Sequence, residues 1–173
     1  MVKLYSFRDV RPDDMPRLRA WLLTPEVARW WGDPDEQAAM LEDDMTEPRM
    51  AMRLVCLDER PFAYAQDYAV HSWPQAHFAD LPLGSRAIDS FIGEPEMIGR
   101  GHGSAYLRRL ALRLRAEGAP VVAIDPAVDN MRARRAYEKA GFVGDRVVET
   151  HEGPAVLMIF EPRAERSVQN KTK

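Results

Sequence analysis

Glycines stand at 99, 101 and 103 in the stretch MIGRGHGSAYL, directly before a run with helical character. A strand that ends in such a turn and opens a helix points several main-chain N–H groups one way, at the positive end of the helix dipole. That arrangement suits phosphate or pyrophosphate. A Cβ at these places would obstruct positive φ angles or the close approach of a ligand. Taken alone, the glycines fit a tight connection that binds nothing equally well. The turn lacks the glycine-lysine-serine/threonine ending of a P-loop. It also lacks G-x-G-x-x-G spacing followed, about 20 residues on, by a ribose-binding acid; Asp125 lies near that distance but precedes Pro126. Neither ATP nor NAD is favoured.

Two carboxylates and a phenol are the next candidates. Alternation in RAIDSFIG puts Ala87, Asp89 and Phe91 on one face of a strand, and covering that face would raise the Asp89 pKa toward a range useful for a base. The other reading of Asp89 is an acid at a solvated sheet edge. Asp125 closes the apolar run VVAI at the carboxyl end of a strand, where open α/β folds place ligands, although Asp-Pro is also a common turn former. Tyr137 shares a helical stripe with Ala133, Ala136 and Ala140. It is either a core residue or a phenol able to protonate a leaving group. Asn130 begins that helix as its N-cap. Trp31 and Trp73 are candidates to stack on a sugar ring, against a plain core role. His71, His77 and His102 show no metal-ligand spacing. Cys56 is the sole cysteine and lies within the apolar run MRLVCL, so it reads as a buried thiol, with a nucleophile as the other reading; an intrachain disulfide and a cysteine metal cluster are excluded. No metal is expected.

The elements that must position these groups follow from periodicity. VKLYSFRDV alternates as a strand, and DDMPRLRAWLL places Met15, Leu18 and Leu22 on one helical face. Thr24 and Pro25 open a short helix carrying Val27, Trp30 and Trp31, and a third helix is expected over Asp35 to Met45. MAMRLVCL and RPFAYAQDYAV, joined by DER, read as a hairpin. HSWPQAHFADLPLGS is a long loop, and such loops are often functional. Leu107, Leu110, Ala111 and Leu114 form the buried stripe of the helix after the glycines, with Gly118 near its end. PVVAID reads as a strand covered on both faces, and two strands near 142–150 and 154–160 complete the order. The fold class is α/β or α+β around a mostly antiparallel sheet.

Bulk properties narrow the partners. The 173 residues suit one domain, expected over 1–162 with a polar tail at 163–173. With 46% hydrophobic and 29% charged residues, the composition is that of a soluble globular protein, and no run is long enough to span a membrane. The charged N-terminus is no secretory signal, so a cytoplasmic location is expected. A net charge of −3 disfavours nucleic acid. The segment from Gly32 to Pro48 carries Asp33, Asp35, Glu36, Glu42, Asp43, Asp44 and Glu47 without a lysine or arginine. It reads as a solvated helix face or as a surface that draws polycations.

IGRGHGSAYLRRLA followed by IDPAVDNMRARRAYEKAGF resembles the acyl-CoA signature of the GNAT superfamily of N-acyltransferases. WWG at 30–32, YAQDY at 64–68, AID at 87–89, IDP at 124–126, RAYEKAGF at 135–142 and GPAVLMI at 153–159, in that order, are similar to the aminoglycoside 6'-N-acetyltransferases. Ile98 departs from the glutamine or arginine usual in the superfamily, and the aminoglycoside enzymes also tolerate an apolar residue there. The resemblance implies a GNAT-like mixed sheet of about seven strands with about four to five helices. It implies acetyl-CoA as co-substrate and a polycationic small-molecule amine as acceptor, with the protein acting as a monomer or homodimer.

Acyl-CoA would meet Ile92, Arg100, Gly101, His102, Gly103, Ser104, Asn130, Arg134 and Tyr137, with the pyrophosphate on main-chain N–H groups of residues 100–104. The acceptor would meet Trp31, Asp67, Trp73, Asp89 and Asp125. Catalysis would fall to Asp89, Asp125 and Tyr137, either aspartate serving as base and Tyr137 protonating the thiolate. A main-chain N–H of residues 88–93 would face the oxyanion if that strand splays from its neighbour. Other readings are acetylation of a siderophore hydroxylamine, a polyamine or a protein N-terminus, or binding of acyl-CoA or an antibiotic without turnover.

Overall fold

In the computed structural model, which describes residues 4–163, seven strands form one sheet in the order β1-β2-β3-β4-β5-β7-β6. The strands are β1 (Tyr5–Asp9), β2 (Met50–Leu57), β3 (Arg60–Ala69), β4 (Arg86–Ile92), β5 (Val122–Ile124), β6 (Phe142–Thr150) and β7 (Gly153–Phe160). Five α-helices accompany them: α1 (Met15–Leu22), α2 (Pro25–Trp31), α3 (Pro34–Asp44), α4 (His102–Ala116) and α5 (Met131–Ala140). Only the β4/β5 pairing is parallel; the other neighbours run antiparallel. The mixed α/β architecture expected from the sequence is therefore the one found. The expected tail lies, from residue 164 on, outside the described residues.

The helices form where the apolar residues recur. The stripe Leu107, Leu110, Ala111 and Leu114 is buried, and packs with Val55, Ala63, Ala65 and Ile88 on one face of the sheet. On the other face Leu18, Leu22, Val27 and Leu41 from α1–α3 cover Leu54, Tyr64 and Phe91. A third cluster, Tyr68, Val70, Phe78, Ala87, Ala123 and Leu157, continues that second face beneath the β3–β4 connection. The caps largely follow the sequence. Asp33 accepts from the N–H groups of Asp35 and Glu36, Asn130 accepts from that of Ala133, and Gly141 ends α5 at φ 112°. Thr24 occupies the N-cap of α2, but its hydroxyl donates back to the Trp21 carbonyl instead of accepting from the helix. Cys56 is buried, and that burial raises its thiol pKa.

Gly93 marks the tightest packing on the α1 side. A Cβ added there would overlap three ring carbons of Trp21, whose indole packs edge-on to Phe91 and donates to Glu94 Oε1 at 3.1 Å. Gly93→Ala should therefore destabilise the fold by about 3 kcal/mol, the upper end of the usual cost of overpacking. Urea unfolding with an unchanged m-value and a lowered midpoint is the expected readout. Among the described residues no helix is long and apolar enough to cross a membrane.

Candidate functional site

The sheet opens at its middle. β4 and β5 are paired only at Arg86↔Val122 and Ala87↔Ala123, whereas β4 stays in register with β3 along its whole length. The chain after Ile124 follows β7, held by the bond from the Val156 N–H to the Pro126 carbonyl at 2.8 Å and by the bridge Ala127↔Ala155. Each strand keeps its outer neighbour, so the two part. The Arg86 N–H reaches toward β5, to the Val121 carbonyl, and the Gly93 N–H reaches toward β3, to the Phe62 carbonyl. The Ile88 N–H is taken up by the Ala87↔Ala123 pairing, and strand alternation then directs the N–H groups of Ser90 and Ile92 into the gap. The splay on which an oxyanion contact depends is present.

Asp89 and Asp125 lie two residues beyond the last β4/β5 pair, Ala87↔Ala123, and so stand level on the two diverging strands. Both belong to the sheet face that carries Ala87, Ala123 and Tyr68. Asp89 keeps part of its surface open, yet protein surrounds it densely. Burial first, then the negative charge of Asp125, pushes its pKa up to about 7; a hydrogen bond from Gln66 Nε2 opposes this, and Glu152 and Asp44 add to the rise. Gln66 donates to Asp89 Oδ2 at 2.9 Å, and is itself oriented by Tyr64, whose hydroxyl donates to its Oε1 at 2.6 Å. The Asp125 carboxylate pairs with His77 Nε2 at 2.8 Å. Asp44, at the end of α3, also has a raised pKa, from burial and from the charges of Asp43 and Glu47. One member of the acidic segment thus belongs to the electrostatics of the site.

Tyr137 lies on α5, packed against the α4-side core, with its ring 6.3 Å from that of Phe142. Its pKa is raised by burial, then by Tyr106, Asp89 and Asp125, so the phenol stays protonated through neutral pH. Tyr106 and Ser90 pair at 2.7 Å across the α4 face of β4, and burial likewise raises the Tyr106 pKa. Asn130 is held as the α5 cap, and the Arg134 guanidinium donates to the Val128 carbonyl at 2.9 Å.

The glycine turn has the geometry its residue types demand. Gly99 (φ 75°) and Gly101 (φ 80°) are left-handed, and no atom lies within 4 Å of an added Cβ at Gly99. Arg100 is exposed between them. At Gly101 the nearest atom to such a Cβ is Lys139 Nζ, at 3.7 Å, which brings an ammonium from α5 to the edge of the turn. Gly103 lies beside the Ile92 side chain. The Ser104 hydroxyl donates to the Gly101 carbonyl at 3.0 Å. The His102 side chain turns inward instead, 4% exposed, with Nδ1 2.7 Å from the Tyr5 hydroxyl, so only its main chain is available to a ligand in the turn.

The structure separates the expected acceptor residues. Trp31 packs edge-on to Phe91 at 4.8 Å and to Tyr64 at 6.0 Å, on the face that carries Asp89. Trp73 packs on Tyr68 beneath the Arg49 guanidinium. Asp67 is not brought to this face. It is 0% exposed, is bound by Arg53, and accepts from Arg86 Nε at 2.5 Å, because one residue of strand alternation sends it to the side opposite Gln66. Gln66, His77 and Lys139 are the neighbours that sequence reasoning missed. Gln66 stood between Tyr64 and Tyr68 in YAQDY, Lys139 stood in RAYEKAGF and His77 in the long loop, but none carried a sign of its partner.

A family model described as an acetyltransferase (GNAT) domain matches residues 11–150. The aminoglycoside N(6')-acetyltransferase type 1 of Klebsiella pneumoniae is 30% identical over 163 residues, spanning 89% of this chain and 81% of that protein. Among solved structures, AAC(6')-Ib in complex with paromomycin and acetyl-CoA superposes with a TM-score of 0.81 at 25% identity, over 97% of this chain and 99% of that one. The same enzyme with coenzyme A and kanamycin gives a TM-score of 0.80 at 27% identity, over 92% and 95%. A sheet that parts beside a glycine turn, and sequence similarity along most of its length, lead to one assignment: the chain belongs to the GNAT acetyltransferase family.

Proposed function

We propose that this protein transfers the acetyl group of acetyl-CoA to the 6'-amine of an aminoglycoside. The observation that carries the reading is the pair Asp89 and Asp125, level on the two parted strands, with the Asp89 pKa at about 7. Relatives that bind aminoglycosides and acetyl-CoA support the choice of both substrates. Main-chain N–H groups of residues 100–104 receive the pyrophosphate, with Arg100 and Lys139 adding positive charge. Asn130, Arg134 and the gap-facing N–H groups of β4 border the pantetheine arm.

The acceptor arrives as an ammonium, drawn by Asp89, Asp125, Asp44 and Glu152. Asp89 takes one proton, and the freed nitrogen adds to the thioester carbonyl. A gap-facing N–H from Ser90 or Ile92 meets the developing oxyanion. As the carbon–sulfur bond breaks, Tyr137 gives its proton to the departing thiolate; the nitrogen sheds its remaining extra proton through water to the Tyr137 phenolate, and Asp89 returns its own proton to solvent. The products are the N-acetyl compound and free CoA thiol, with no covalent enzyme intermediate. Trp31 and Trp73 offer indole faces to the sugar rings.

Thiol release from acetyl-CoA is expected with kanamycin and is expected to vanish with an analogue lacking the 6'-amine. Equal rates on the two compounds would overturn the regiochemistry. Release with a polyamine or hydroxylamine in place of both would overturn the substrate class.

A further inference from the structure

We infer that His77 is a positioning residue for the amine acceptor, holding the Asp125 carboxylate in the orientation in which it meets an ammonium. The inference rests on the acetyltransfer reading above. His77 lies in the short turn Ala76–Phe78 of the β3–β4 connection, 48 residues from its partner in sequence. Its Nε2 is 2.8 Å from Asp125 Oδ2, and its side chain is 5% exposed against 18% for Asp125. The imidazole stands 3.9 Å from the Phe78 ring, centroid to centroid, and Phe78 is fully buried in the cluster of Tyr68, Val70 and Ala87. The ring is thus wedged by packing before it meets the carboxylate.

Asp125 has little else to hold it. It follows the last residue of β5 and precedes Pro126, which carries no N–H to donate. A carboxylate at a strand end turns about two side-chain torsions unless something engages it. A bond on Oδ2 fixes both torsions and leaves Oδ1 to an incoming cation. Asp89, level with Asp125 across the gap, is oriented separately, through Gln66 and Tyr64. The two carboxylates therefore keep a set spacing because each is held from its own side. Nitrogen placement within a fraction of an ångström is what direct transfer to a thioester requires.

The test is steady-state kinetics on His77→Ala and His77→Gln with the intact chain. A hydrogen bond to a charged group is worth about tenfold or more in affinity, so His77→Ala should raise the KM for the aminoglycoside about tenfold. The KM for acetyl-CoA should stay within about twofold, since no cofactor-facing group moves. Glutamine places an amide nitrogen near the position of Nε2, and His77→Gln should recover most of the loss. An unchanged His77→Ala, a His77→Gln as impaired as His77→Ala, or a parallel rise in the acetyl-CoA KM would each overturn the assignment. The 15N NMR shifts of the His77 ring give a readout independent of turnover. The Nε2 shift should move in Asp125→Ala, where the carboxylate that it faces is gone. A parent chain inert toward every amine, with those ring shifts intact, would overturn the acetyltransfer reading and leave the pairing standing. An active parent with no ring response would overturn the positioning role alone.

Discussion

Asp89→Asn should lower kcat/KM for the amine by about two to four orders of magnitude, the range a positioned general base contributes, while acetyl-CoA binding stays within about twofold. Asparagine preserves size and the place opposite Gln66 but accepts no proton. The pH dependence makes the assignment specific. Because burial and the charge of Asp125 lift the Asp89 pKa to about 7, activity should fall tenfold per unit below that pH and level off above it. In Asp125→Asn the neighbouring negative charge is gone, so the acid limb should move to lower pH. A limb that stays in place when Asp125 is changed, or an active Asp89→Asn, would remove Asp89 from the role. Stability should run the other way. A carboxyl whose pKa is higher folded than unfolded favours the fold below the unfolded pKa of about 4, and that contribution is lost as pH rises to about 7. Asp89→Asn should therefore unfold at a higher temperature than the parent at pH 8 and show no such gain at pH 4.

Tyr137→Phe should reduce kcat about a hundredfold, the low end of the range for a lost general acid, with both KM values nearly unchanged. Phenylalanine keeps the packing against the α4-side core, so a purely structural tyrosine would show little kinetic effect. The decisive measurement varies the leaving group. A thioester of an acidic aromatic thiol leaves without needing a proton, and with it the deficit of Tyr137→Phe should shrink toward the parent rate. A deficit independent of leaving-group acidity would assign the loss to geometry instead of proton transfer.

Local patterns were readable to the extent that they depended on near neighbours. Leu107, Leu110, Ala111 and Leu114 are buried as their spacing implied, and Ala87, Asp89 and Phe91 share a face as their alternation implied. Non-local events were not readable. The gap between β4 and β5 exists because each strand follows its outer partner, a competition no single segment encodes. His77 reaches Asp125 from a stretch without period, and Lys139 reaches the glycine turn only because α5 packs on α4. Asp67 is expected among the acceptor contacts, whereas its register opposite Ile88 sends it to two arginines on the far face.

The bond between His102 and Tyr5 bears on the order in which the molecule assembles. It joins the first residue of α4 to the first residue of β1 across 97 positions, and Arg109 adds a second tie by donating to the Tyr5 carbonyl at 3.0 Å. Helix α4 can coil from its own residues, but the chain must close a loop of that length before the turn in front of it is anchored, and closure entropy grows with loop length. Anchoring the anion-binding turn is thus complete only when the two ends of that loop have met.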